Sequence, residues 1–177
     1  AVGAGFDEGA SRLQARMACG TGKTLVSLRV YERVAPELAV VLVPSLSLMA
    51  QTIRSWTANT LVDFRYLPVC SDVNVAEDER RGEDADLDVD DLAVLDSAAT
   101  TDPDTITEFL QGPGPQVVFC TYQSSDVLAA ATVNAGVRFG LVVADEAHRT
   151  TGSASTVFST VLDDARFPAD RRLFVTA

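Results

Sequence analysis

Lysine is almost missing from this chain: Lys23 is the only one among fourteen basic residues. Histidine and tryptophan occur once each, as His148 and Trp56, and cysteine three times. Cys19, Cys70 and Cys120 are odd in number, widely spaced and without a CxxC pair. That pattern argues against a disulfide framework or a zinc site and for reduced, mostly buried thiols. No uninterrupted apolar run approaches the roughly 20 residues that a membrane-spanning helix needs, and no basic segment followed by an apolar stretch marks a secretory signal. These absences lead to the expectation of a cytoplasmic chain without a membrane partner.

Charge is plentiful but uneven. The net charge of −11 looks hostile to nucleic acid. However, Asp72–Glu108 holds fourteen acids against two arginines, a local −12, which leaves eleven acids and twelve bases elsewhere, or +1. One acidic segment therefore sets the pI, and the remaining surface is near neutral. Residues 71–100 are poor in aromatics and dense in like charge, which reads as a solvated surface loop; an acidic screen or partner surface is the alternative. At 177 residues a single domain with one substantial core is expected.

Apolar runs and helical stripes alternate along the chain. "RLQARMA" (Arg12–Ala18) predicts a short strand. Val26, Val30 and Val34 fall on one face of a predicted helix over 23–35, stopped by Pro36. "LAVVLVP" fits a strand buried on both faces, as in a parallel sheet. Leu46, Met49, Ala50, Ile53 and Trp56 stripe a second helix, and "VDFRYLPVC" offers a third strand. Asp102 as N-cap and Pro103 at the first helical position start a helix that ends near Gly112. "QVVFCTY" (Gln116–Tyr122), a short helix through Ala130, the strand in "FGLVVADEAH", a helix around Val157–Leu162 and the strand "RLFVTA" complete the series. Such alternation predicts an α/β layered fold around a mostly parallel sheet.

The lone lysine sits in "GTGKT". A strand–loop–helix turn of this kind points backbone N–H groups at phosphate oxygens, and glycine permits both the angles and the close approach. Gly20, Gly22, Lys23 and Thr24 are the core of this candidate site, with Cys19 and Thr21 in the same loop. The helix adds its positive dipole end. Lys23 would reach the terminal phosphates as a compact charge, and the Thr24 hydroxyl would ligand Mg²⁺. A compact ammonium is not interchangeable with a guanidinium fork, which explains one lysine surviving in an arginine-rich chain. The strict G-x-x-x-x-G-K-[ST] pattern is missed at Met17. The second half of such a site is a carboxylate at the end of another buried strand, and "LVVADEAH" supplies it. Asp145 would hold Mg²⁺ and Glu146 would polarise the attacking water. His148, two residues on, is a candidate for coupling.

In this order, "MACGTGKT", "DEAH" and "LFVTA" resemble motifs I, II and the start of III of the superfamily 2 helicases and translocases. The resemblance is greatest to the DEAH-box branch containing restriction-enzyme motor subunits and bacterial helicases with helicase-associated domains. "VLVPSLSLMAQTIRSW" (Val41–Trp56) resembles motif Ia, and "VVFCTYQS" (Val118–Ser125) a later nucleic-acid-contacting motif. The resemblance implies a three-layer α/β/α RecA-like P-loop NTPase lobe over residues 1–177, with an acidic surface insertion at about 71–101. It implies ATP and Mg²⁺ as cofactors, with His148 and Thr176 relaying the nucleotide state. Pro44, Ser45, Thr121, Tyr122, Gln123 and Ser124 would face a nucleic-acid backbone, DNA in preference to RNA; such contacts need no basic patch. It further implies a second RecA-like lobe from the same parent chain, whose arginines complete the ATP site. The 177 residues are thus expected to be a fragment that hydrolyses ATP poorly by itself. Three tasks remain open at this point: DNA helicase or translocase, motor of a restriction endonuclease on duplex DNA, and a non-hydrolysing nucleotide-sensing or protein-interaction module.

Overall fold

The computed structural model describes residues 2–18, 20–71, 99–145 and 163–176. Among them, helices α1 (Val2–Asp7), α2 (Lys23–Val34), α3 (Leu46–Asn59), α4 (Pro103–Leu110) and α5 (Ser125–Ala135) accompany six strands. The strands are β1 (Arg12–Arg16), β2 (Leu38–Val43), β3 (Arg65–Val69), β4 (Gln116–Thr121), β5 (Leu141–Asp145) and β6 (Arg172–Thr176). They form one sheet in the order β1–β6–β5–β2–β4–β3, and every pairing is parallel. The predicted helix around 157–162 and the acidic stretch 72–98 lie outside the described residues.

Parallel strands need both faces covered, and the central strands read accordingly. All six residues of β2 and of β4 are buried. Side chains alternate along a strand, so one strand feeds two cores. Val41, Val43, Phe119, Val143 and Val175 face α2 and α3. Val40, Leu42, Cys120, Val142 and Ala144 face α4 and α5. The result is the expected three-layer α/β/α arrangement. The α3 stripe packs as its spacing predicts, with Met49, Ala50, Ile53 and Trp56 buried. Trp56 is fully buried, 5.3 Å from the Tyr31 ring and 5.6 Å from the Phe119 ring. Burial of each such side chain contributes about 1.5–3 kcal/mol.

Several expectations shift in detail. The buried face of α2 is Ser27, Leu28, Val30 and Tyr31, while Val26 and Val34 are only partly buried. The aromatic and leucine side chains offer more area to the Trp56 cluster than the valines do. Ala35 ends this helix at φ 46, ahead of Pro36, with its N–H donating to the Tyr31 carbonyl at 2.8 Å. Helix α5 runs five residues past Ala130 although Thr132, Val133 and Asn134 are weak helix formers. Packing overrides propensity there, since Ala131 and Thr132 are buried. Gly136, at φ 65, then closes the helix, and the Val137 N–H returns to the Thr132 carbonyl at 3.4 Å. Helix α1 was not expected; it inserts Phe6 into the α2/α3 core and pairs Asp7 with Arg33.

Cys120 is level with Val69 across β4 and β3, so the next residue, Cys70, belongs to the opposite face. The two thiols therefore face different layers and form no pair. Burial pushes the Cys70 thiol up to about 11 and the Cys120 thiol well above its ordinary value. Both stay protonated and unreactive at neutral pH. No helix among the described residues is long and apolar enough to cross a membrane.

Candidate functional site

Ligands of open parallel sheets bind outside the carboxyl ends of the strands, and the glycine loop opens there. Arg16, the last residue of β1, is level with Thr176, the last of β6. The Met17 N–H then donates to the Thr176 carbonyl at 2.9 Å, which ties the entry of the loop to β6. The Thr21 hydroxyl donates to the Ala18 carbonyl at 2.6 Å and closes the turn. Gly20 and Gly22 adopt φ of 76 and 86. Among the described residues nothing lies within 4 Å of where a Cβ would stand on either glycine, and it is the backbone conformation that requires glycine. For an L-residue that conformation costs about 1–2 kcal/mol. Gly22 leads directly into α2, and its carbonyl accepts from the Val26 N–H at 3.0 Å. The first turn, bearing Lys23 and Thr24, thus presents the positive end of the helix to this edge.

Asp145 ends β5 at the same edge. It is level with Val175 of β6, and β6 is the single strand between β5 and β1. Two strand spacings of about 4.8 Å therefore separate the β1 and β5 ends. Alternation puts Asp145 on the face of Val143, which is the α2 face. The loop, the helix start and the carboxylate, more than a hundred residues apart in the chain, share one edge and one face. Thr176 ends β6, the strand between them, and is buried, but alternation from Val175 puts its side chain on the opposite, α4/α5 face. A threonine hydroxyl and a carboxylate are hard oxygen donors suited to Mg²⁺, which is held by one or two carboxylates plus substrate phosphates rather than by a protein cage. No group of three or more His, Cys, Asp or Glu that could by itself hold a metal ion occurs among the described residues. The residues present therefore fit a magnesium–triphosphate group. Cys19, Glu146 and His148 lie outside the described residues.

The expected nucleic-acid-facing positions follow β2 and β4 on the same edge. Pro44 and Ser45 are half-buried, and the Ser45 hydroxyl caps α3 by accepting from the Leu48 N–H at 3.3 Å. After β4, Tyr122–Ser124 form a single 3₁₀ turn. Gln123 is exposed, whereas Thr121, Tyr122 and Ser124 are buried. The Thr121 and Ser124 hydroxyls bond each other at 3.2 Å, and the Ser71 N–H donates to Ser124 Oγ at 3.2 Å. The Tyr122 hydroxyl donates to the backbone carbonyl of Asp145 at 2.8 Å. Trp56 Nε1 donates to the backbone carbonyl of Thr24 at 3.2 Å. Both aromatic handles escaped the sequence reading, since a bond to a backbone carbonyl leaves no signature in the identity of its partner.

The family described as "Type III restriction enzyme, res subunit" matches residues 1–177. A probable helicase of African swine fever virus is 32% identical over 166 residues, 92% of this chain and 16% of the viral protein. A nuclease-deletion mutant of the Type ISP restriction-modification enzyme LlaGI, solved with a DNA substrate mimic, superposes with a TM-score of 0.75 at 31% identity. That superposition covers 98% of this chain and 14% of LlaGI. The ATP-dependent Type ISP enzyme LlaBIII bound to DNA gives 0.74 at 29% identity, covering 98% and 12%. The chain thus spans less than one fifth of the length of each of these relatives.

Proposed function

Because the chain belongs to the family of the type III restriction enzyme res subunit, we propose that it is an ATP-binding motor lobe that couples Mg-ATP hydrolysis to movement on DNA. The observation that carries this reading is the meeting of the glycine loop, the α2 start and Asp145 on one edge and one face of the sheet. In this reading the loop from Cys19 to Thr24 binds the phosphates, and Lys23 neutralises charge that grows on the terminal phosphate. Thr24 and Asp145 hold the magnesium ion, whose chemistry is to screen the phosphate oxygens. Glu146 accepts a proton from the attacking water. Thr176, beside the loop entry, and His148 relay the state of the site, while Pro44, Ser45 and Gln123, the exposed residue of the Tyr122–Ser124 turn, face the DNA backbone. Two restriction–modification neighbours solved with DNA support DNA as the track and keep the restriction-enzyme motor as one form of this reading; the viral probable helicase supports the helicase form. A second lobe elsewhere in the protein would complete the catalytic site.

The test is Lys23→Ala in the complete protein. We expect DNA-stimulated ATP hydrolysis and triplex displacement on linear duplex to fall by about 10²–10³-fold, the loss typical when one charge-stabilising donor is removed. The melting temperature should stay unchanged. Hydrolysis persisting at the parental rate would reject the motor reading in favour of a nucleotide-sensing or protein-interaction module.

A further inference from the structure

The Tyr122 hydroxyl and the Asp145 carbonyl meet at 2.8 Å although 23 residues separate them. The bond is not a neighbourly one. In the sheet order, β2 lies between β4, which delivers Tyr122, and β5, which ends at Asp145. Val43, the last residue of β2, is level with Thr121, so the Tyr122 side chain crosses the carboxyl end of β2 to reach its acceptor. The ring is buried among the residues facing α4 and α5, whereas the Asp145 side chain belongs to the α2 face. The phenol thus grips the backbone of Asp145 from behind, on the side away from the carboxylate. The other end of the tyrosine is held as firmly. The Ser125 hydroxyl donates to the Tyr122 carbonyl at 2.8 Å, and the Thr121–Ser124 hydroxyl pair locks the same turn. Within this turn only Gln123 is exposed.

We propose that Tyr122 is a positioning residue: its hydroxyl sets the backbone, and through it the carboxylate, of Asp145, and so links the exposed turn after β4 to the metal side of the nucleotide site. The inference rests on the motor reading above and deepens it, because it names the connection through which the DNA-facing turn reaches magnesium. A displacement of the turn at Gln123 moves the Tyr122 ring, and the ring moves the end of β5. A tyrosine present only to fill the core would need no acceptor at this carbonyl, and phenylalanine would serve equally well.

The experiment uses the complete protein and a fluorescent ATP analogue. Nucleotide affinity is measured in EDTA and along a Mg²⁺ titration, for the parent, Tyr122→Phe, Asp145→Asn and the double variant. In Tyr122→Phe we expect unchanged affinity in EDTA. The Mg²⁺ concentration for half-maximal tightening should rise about three- to tenfold, the range that one net hydrogen bond corresponds to. In the Asp145→Asn background the same change should have no further effect, because the tyrosine acts through that residue. If Tyr122→Phe lowers affinity equally with and without Mg²⁺, or adds its full effect on top of Asp145→Asn, the tyrosine is a general packing residue and the inference is overturned. If the parent tightens with Mg²⁺ and Tyr122→Phe responds identically, this inference alone fails. If the parent shows no Mg²⁺-dependent binding, the motor reading fails and this inference with it.

Discussion

The two edges of the sheet are built by different means. At the carboxyl edge the parts of the proposed site are backbone conformation and a few side chains: two glycines at positive φ, a helix start, one lysine and one carboxylate. At the amino edge a cavity of about 600 Å³ opens between Pro36, Gly112, Arg138, Gly140 and Asp170. It is backed by interlocked charged side chains. Arg172, buried at the start of β6, donates to the Phe167 carbonyl at 2.6 Å and to Asp164 at 3.2 Å. Arg138 donates to Asp170 at 2.6 Å and to the Ala169 carbonyl at 2.7 Å. This cavity lies away from the glycine loop, at the opposite edge of the sheet. A triphosphate is recognised by converging N–H groups and cations rather than by an enclosed apolar cavity.

If the amino edge holds the fold and the carboxyl edge does the work, substitutions at the two should separate stability from function. Replacing Arg172 with methionine has the largest expected effect on stability. It leaves the Phe167 carbonyl without its 2.6 Å donor and strips Asp164 of a partner. Losing one partner of a buried polar group costs about 1–3 kcal/mol, and each kcal/mol lowers Tm by roughly 2–4 °C in a domain of this size. Nucleotide affinity at 25 °C should be unaffected. A parental Tm in Arg172→Met, read by circular dichroism, would remove the amino edge from its supporting role.

A pair of glycine substitutions sharpens the contrast. A Cβ on Gly140 would meet the Pro36 Cβ at 2.8 Å, closer than real side chains approach. Gly140→Ala should therefore overpack the amino edge by about 1–3 kcal/mol and lower Tm without changing nucleotide affinity. At Gly22 nothing stands in the way of a methyl group, and the strain comes from φ 86 alone. Gly22→Ala costs about 1–2 kcal/mol in the cradling conformation. The strained loop is expected to relax into another shape and give up its N–H array. The expected readout is a nucleotide affinity about five- to thirtyfold weaker, with Tm nearly parental. If the two variants exchange these signatures, the division of labour between the edges is wrong.

The same contrast explains what could be read from the sequence. Buried runs such as Leu38–Val43 and Gln116–Thr121 announce parallel strands because both faces must be apolar. The glycine loop and Asp145 stand out in the sequence because few residue types suit the tasks proposed for them, and a lone lysine in an arginine-rich chain is conspicuous. Helix α1 carried too short a pattern to announce itself, and the last turn of α5 is held by packing of Thr132 against local propensity. The bonds from Tyr122 to Asp145 and from Trp56 to Thr24 end on backbone carbonyls, which every residue owns. The Arg138–Asp164–Arg172 cluster hid for a similar reason: mixed charge in "DDARFPADRR" reads as solvated surface until the fold buries one of the arginines.

The weakest expected effect concerns acid, and it probes whether the charges of that cluster matter apart from their hydrogen bonds. The Ala169 N–H, followed by Arg172 and Arg138, holds the Asp164 carboxyl below the ordinary carboxylate value. A depressed folded-state pKa contributes stability that is fully present above the unfolded value, about 3.9, and is lost as pH falls through the folded value. At neutral pH Asp164 therefore stabilises the fold, and below its folded pKa it does not. The side chain is half exposed at 51%, so solvent and salt screen the interaction, and its worth is under about 1 kcal/mol. Asp164→Asn should lower Tm slightly at pH 7, and the deficit should shrink toward zero below the ordinary carboxylate range, giving the variant a shallower acid limb. A deficit that persists unchanged at the lowest pH at which the fold survives would mean that hydrogen-bond geometry, not charge, fastens Arg172 in place.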